Sequence, residues 1–215
     1  MRFDNEQLKL IISGEPVGVA HPYDTKNEET IEGHILDLFE SLKKSNSVEC
    51  FGEFDHYGSG YASYVEIFCV KKGGRSIIQK ETKKYYEKDD VWVTSTGYTG
   101  VVLYVNRLAP VVIFSKDERY KEKNESVKAR YSYETFSKNH SFAELSEDFG
   151  KLPFGDWDNE FNEIQAILKK YGYSFLEKEY LEQELPFKAD IPTLLCIPDL
   201  GGKYKIFDSL FYWSD

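Results

Sequence analysis

The chain has 215 residues, 27 basic and 37 acidic, for a net charge of −10 and a pI near 5.0. That balance argues against a broad nucleic-acid or anionic-membrane surface, which requires clustered Lys and Arg. The length suits one large domain or two small ones, and allows roughly 70% of the unfolded surface to be buried without a metal or disulfide staple.

Hydrophobic residues at 41% and charged residues at 30% are ordinary, whereas 16 Tyr, 15 Phe and 3 Trp form an aromatic excess. Cys50, Cys69 and Cys196 are an odd, widely spaced set and read as reduced core thiols. Asp4 and Glu6 interrupt the apolar stretch that a signal peptide needs. No window approaches the ~18 consecutive apolar residues of a membrane span. The expectation is a cytoplasmic protein without membrane contact.

Asp4 and Gln7 form a capping-box pair at the start of a first helix, with Phe3 and Leu8 as its hydrophobic staple. Leu8, Ile11 and Ile12 give its stripe, and Gly14 stops it. Thr25 and Glu28 suggest a second cap, ahead of Ile31, Ile35, Leu38, Phe39 and Leu42 at helical spacing to about Ser45. From there the period changes. Runs at 48–54, 61–70, 75–80, 91–95, 101–105 and 110–114 are rich in Val, Ile, Tyr and Phe and predict strands. Lys71-Lys72-Gly73-Gly74 and Asp89-Asp90 mark turns, and Gly97 and Gly100 bracket a third. In 63–69 both alternating faces are largely apolar, which predicts a central strand covered on both sides. Spacings too short for crossover helices favour antiparallel pairing.

The charge run Lys116 to Arg130 predicts a solvated connection or short exposed helix. Ser141 and Glu144 then cap a short helix over 141–149, closed by Gly150. Asp156 or Asp158 caps a strong helix whose Phe161, Ile164, Ile167, Leu168 and Tyr171 share one face, with Gly172 at its end. Leu181–Leu200 is punctuated by Pro186, Pro192 and Pro198 and holds only short or edge strands. The apolar tail 204–215 must dock on the core to stay ordered. The expected architecture is one α+β domain over 1–215. It divides into a helical part at 1–46, an antiparallel sheet at 47–115, a connection with a short helix at 116–155, and a helix with C-terminal strands and tail at 156–215.

Chemical motifs are sparse. His21, His34, His56 and His140 lack His or Cys partners at metal-ligand spacing, and His34 reads as a core-edge residue beside Ile35 and Leu38. Gly58-Ser59-Gly60 reads as a turn, since no phosphate-binding loop or nucleophile elbow is present. Asp156-Trp157-Asp158-Asn159-Glu160 lacks the glycine turn and distal Glu of a calcium loop, so helix capping explains it. The reading therefore includes no cofactor, no metal and no catalytic residues. Residues 156–215 carry 12 acidic and 6 basic residues, a net −6. Beside aromatics, such a surface steers a cationic protein partner. The candidate partner-binding residues are Asp156, Trp157, Asp158, Glu160, Glu163 and Trp213.

The helix Asp158–Tyr171, then Gly172-Tyr173-Ser174-Phe175-Leu176, then the Pro-punctuated stretch and Ile206-Phe207-Asp208-Ser209-Leu210-Phe211-Tyr212-Trp213-Ser214-Asp215 resemble the closing region of small bacterial immunity proteins. These neutralise toxins in polymorphic-toxin, LXG-type and contact-dependent systems. Tyr104-Val105-Asn106-Arg107-Leu108-Ala109-Pro110 adds a second point of similarity, and the whole covers about a third of the chain. In class (acidic, α+β, single-domain) the chain is similar to the SUKH superfamily. The resemblance implies a non-enzymatic protein that occludes a basic toxin domain without a cofactor. The alternatives are a small hydrolase or transferase using cleft carboxylates, and a scaffold or adaptor.

Overall fold

The computed structural model describes residues 1–54, 60–88, 90–126, 128, 131–138, 143, 145–192 and 203–214. His56, Asp89, His140, Ser141, Glu144, Cys196 and most of Gly58-Ser59-Gly60 lie outside the described residues. Helix α1 (Asn5–Ile12) opens on the expected capping box, with Gln7 N–H donating to the Asp4 carboxylate at 2.9 Å and Asp4 N–H to the Gln7 side chain at 3.0 Å. Phe3 and Leu8 are both buried beside it. Helix α2 (Glu28–Lys43) buries Ile31, Ile35, Leu38 and Leu42, as their spacing requires. Its cap differs from the Thr25–Glu28 expectation. Asn27 is the N-cap and accepts Thr30 N–H at 2.8 Å, because the Thr25 hydroxyl is spent on Pro22 O in a preceding 3-10 turn at Tyr23–Thr25.

The strands are β1 (Val48–Glu53), β2 (Tyr61–Ala62), β3 (Tyr64–Lys71), β4 (Ile77–Tyr86), β5 (Val91–Asn106), β6 (Val111–Ser126), β7 (Tyr131–Lys138), β8 (Ser174–Phe175) and β9 (Trp213–Ser214). The main sheet runs β1-β3-β5-β6-β7 in antiparallel order, with β4 on the first half of β5 and the short β8 parallel to the start of β6. β2 and β9 form a separate two-stranded ribbon. The sheet curls enough that Phe136 of β7 packs on Phe51 of β1, with ring centroids 4.2 Å apart.

Two expectations are corrected here. Gly97 and Gly100 do not bracket a turn; β5 continues through both, paired with β6 from Val91 to Val105. Glycine stands inside the strand because the neighbouring chain approaches closely: a Cβ on Gly100 would lie 2.5 Å from the Cys69 carbonyl oxygen and 2.7 Å from the Phe68 ring. The charge run after Lys116 is likewise the second half of β6, not a connection, and β7 extends the sheet beyond it. Lys121 pairs with Glu134 at 3.1 Å and Lys123 with Glu125 at 2.6 Å, so the alternating charges face neighbours on the pleated surface.

The body of the domain has three layers. Helices α2 and α3 (Asp158–Lys170) cover one face of the sheet, over Val48, Cys50, Val65, Ile67, Cys69, Val101, Leu103 and Val105. Helices α1, α4 (Lys178–Leu181) and α5 (Ile206–Leu210), with the tail, cover the other, over Tyr64, Phe68, Val70, Val102, Tyr104 and Ile113. Strand β3 is therefore buried from Tyr64 to Val70, as its two apolar faces foretold. In the tail, Ile206, Phe207, Leu210, Phe211 and Tyr212 are all buried. The expected helix over 141–149 is not seen in its described part: Leu145–Phe149 is irregular, and Phe149 bridges to Ser115 of β6. Gly150 N–H donates to Phe114 O at 2.8 Å and Lys116 N–H to Asp148 O at 3.3 Å, so β6 holds the end of the segment, and isolated turn bonds such as Phe149 N–H to Ser146 O at 3.2 Å replace a continuous helix.

Candidate functional site

The predicted partner strip does not survive folding as one exposed surface. Residues 157, 160, 161, 164 and 168 recur at three and four, so they face inward together. Trp157 is buried under the Lys71 ammonium, which sits 4.8 Å from its ring centroid. Glu160 is buried too and pairs with Lys71 at 3.4 Å and Arg75 at 3.0 Å. Glu163 turns back to the loop after α2, accepting Asn46 N–H at 3.1 Å and the Ser47 hydroxyl; the Ser47 bond, followed by weaker ones, holds its carboxyl below the ordinary glutamate range. Neither Asp156 nor Asp158 is the N-cap, although the Asp156 carboxylate accepts Asp158 N–H at 3.1 Å. Those two aspartates remain exposed. Trp213 lies apart on β9, packed against the opposite face of the sheet, so the structure gathers the Asp156 carbonyl, Trp157 and Glu160 around Lys71 without it.

Sequence reasoning missed the turn between β5 and β6. The Asn106 side-chain oxygen takes the N–H groups of Leu108 and Ala109 at 2.8 Å each, while its amide nitrogen donates to Leu210 O in the tail. The neighbouring Arg107 is buried and spends its guanidinium on four elements. Nε donates to Glu32 of α2 at 2.6 Å, Nη1 to the carbonyls of Ala62 and Tyr64 at 2.9 Å each, and Nη2 to Phe54 O at 2.8 Å. The sequence marked 104–110 as a point of similarity, but the Asn-Arg pair closing a strand before Pro110 gave no sign of what its side chains join.

Against this turn lies a cleft of about 360 Å³ bordered by Gly14, Lys26, Glu28, Glu32, Tyr61 and Arg107. Burial, reinforced by Glu28 and Glu32 and opposed by Arg107, pushes the Tyr61 phenol up to about 12. It is a neutral hydrogen-bonding group throughout the physiological range. Glu32 keeps Oε2 buried without a hydrogen-bond partner among the described residues while Oε1 holds Arg107.

The second surface is the wing formed where β4, the first half of β5, the second half of β6 and β7 run past the helices. Residues 77–99 and 116–138 carry 11 basic and 9 acidic residues, a net +2, leaving −12 on the rest of the chain. All ten residues of β4 are exposed. Of the ten large hydrophobic side chains exposed among the described residues, six lie here: Ile77, Ile78, Tyr85, Tyr86, Trp92 and Tyr133. Tyr85 and Trp92 are opposed across β4 and β5 with ring centroids 5.0 Å apart, and Lys83 lies 5.0 Å over the Trp92 ring.

At the neck of the wing, Arg119 is buried between Glu66 and Asp117, at 2.7 Å from each, and stacks over Phe68. Burial works against its charge, but Glu66 and then Asp117 outweigh that and hold the guanidinium above its ordinary pKa. Its Nη2 is buried without a hydrogen-bond partner among the described residues.

His34 is half-buried between Tyr171 and Tyr173, its Nε2 2.9 Å from Tyr171 O. Among the described residues no three His, Cys, Asp or Glu side chains converge as metal ligands, and no helix is long and apolar enough to cross a membrane. No family model, curated protein or solved structure matches this chain.

Proposed function

We propose that the chain is a protein-binding domain that neutralises a cognate toxin by occlusion, the immunity role its C-terminal segment resembles. The observation that carries this reading is the wing. The distal half of the sheet, with Tyr85, Tyr86, Trp92 and Tyr133 exposed, offers the large, low-entropy side chains from which binding hot spots are made. The remaining −12 attracts a basic toxin domain over long range and accelerates encounter, while the near-neutral wing lets that partner settle on aromatics without charge mismatch.

The test uses the purified chain and the toxin domain encoded beside it. A stoichiometric complex, loss of toxin activity, and association that slows as salt rises are the expected results. Tyr85→Ala combined with Trp92→Ala weakens binding tenfold or more with the melting temperature unchanged. Failure to bind any neighbouring gene product refutes the immunity role. Unaltered affinity in the double variant refutes the wing as its anchor.

A further inference from the structure

Cys50 of β1 and Cys69 of β3 are direct partners in the antiparallel register, and their sulfurs lie 3.0 Å apart, closer than unbonded sulfurs pack. Opposed residues in such a pair have Cα atoms about 4.5 or 5.5 Å apart. Both values fall inside the span of about 4.4–6.8 Å that a disulfide bridges. The register therefore puts the two backbones within bridging reach. We infer that Cys50 and Cys69 are a disulfide site, oxidised by peroxide to a cross-strand bond that clamps the outer strand β1 to the central strand β3.

The Cys50 thiolate attacks one oxygen of hydrogen peroxide, the O–O bond breaks, and hydroxide leaves to take up the proton Cys50 has lost. The resulting sulfenic acid is attacked at sulfur by Cys69. The S–S bond forms as the hydroxyl departs with the Cys69 proton as water. Two thiols lose two electrons and two protons, and one peroxide becomes two waters.

Cys50 leads this sequence. It sits on the outer strand and retains 6% exposure, whereas Cys69 has none. Burial first, and the Cys50 neighbour second, push the Cys69 thiol up, which leaves it the resolving partner. A peroxide, no larger than a pair of waters, suits so narrow an approach better than a bulky disulfide. The bond would close the segment from 50 to 69, which contains Phe54 and Tyr61. Phe54 O holds Arg107, and Tyr61 borders the cleft, so oxidation ties one wall of the cleft to the centre of the sheet.

Full-length protein carrying Cys196→Ser isolates the pair. It is treated with hydrogen peroxide, quenched with catalase, unfolded for thiol titration and digested without reductant. The expected result is a fall from two free thiols to none, a peptide pair joined through Cys50 and Cys69, a higher melting temperature, and reversal of all three by dithiothreitol. In Cys50→Ser with Cys196→Ser, Cys69 stays unmodified over the same exposure. Two thiols remaining, their loss without the linked peptide, or bridges between chains would each overturn the site. Rapid oxidation of Cys69 in the absence of Cys50 would overturn the order of reaction.

Discussion

Arg107→Met is the most informative perturbation of this fold. The guanidinium links α2, the end of β1, β2 and β3 to the β5–β6 turn through one ion pair and three carbonyl contacts of 2.6–2.9 Å. Removing one partner of a buried, hydrogen-bonded charge network costs about 3–5 kcal/mol. The Glu32 side chain is 32% exposed and can rehydrate, so its share belongs at the surface end, about 1 kcal/mol. The three carbonyls are left without their donor and account for the larger part, at roughly 1 kcal/mol or more each. Arg107→Met is therefore expected to cost about 3–4 kcal/mol, and Glu32→Gln about 1 kcal/mol. A domain with about 5–15 kcal/mol of stability survives both, so both variants can be measured. Urea denaturation, read as a shift of midpoint at constant slope, gives the two values directly. A loss below about 1 kcal/mol for Arg107→Met would refute the tethering role. Equal losses in the two variants would refute the division, placing the energy in the ion pair instead of the carbonyls.

Phe211 is buried at the end of α5, so Phe211→Ala should cost about 3–5 kcal/mol in the same assay, and an unchanged midpoint would show that the tail is peripheral. At the neck, Glu66→Leu or Arg119→Met alone strands a buried charge, whereas the double variant recovers part of the loss. A double-mutant cycle should give a coupling of about 1–3 kcal/mol, and strict additivity would refute the pairing. Alkaline pH should unfold the protein through its tyrosines. Tyr61 is raised from 10.0 to about 12, with Tyr23, Tyr104, Tyr173 and Tyr212 also raised chiefly by burial. In each case the folded state holds its proton more tightly than the unfolded state, so stability is whole below pH 10.0 and falls as pH rises through about 12. Tyrosinate absorbance and circular dichroism should change together in that window; complete tyrosine ionisation in a still-folded protein would refute the assignment.

Several elements were legible because their signal is local. The Asp4–Gln7 box, the stripe of α2 and the two apolar faces of 63–69 each depend on residues within one or two turns, and burial follows their period. The C-terminal tail announced itself by composition, since so many apolar residues in sequence have to be covered. What failed did so where the partner is distant in the chain. Gly97 and Gly100 resemble turn residues until β4 and β3 are placed against them. Glu160 reads as a solvent-facing charge until Lys71 and Arg75 arrive from the β3–β4 region.

The amino-acid sequence by itself determined an α+β chain with amphipathic helices, a doubly buried central strand and a docked tail, because hydrophobic periodicity records which side of each segment leaves water. Only the tertiary structure decided that the charge run after Lys116 is strand, that Arg107 joins four elements, that Trp157 is core, and that Tyr85, Tyr86, Trp92 and Tyr133 collect on a wing. Strand pairing and the fate of a charge depend on which residues lie across from it, and that neighbour is 13 positions away for Lys121 and Glu134 but 53 for Glu66 and Arg119.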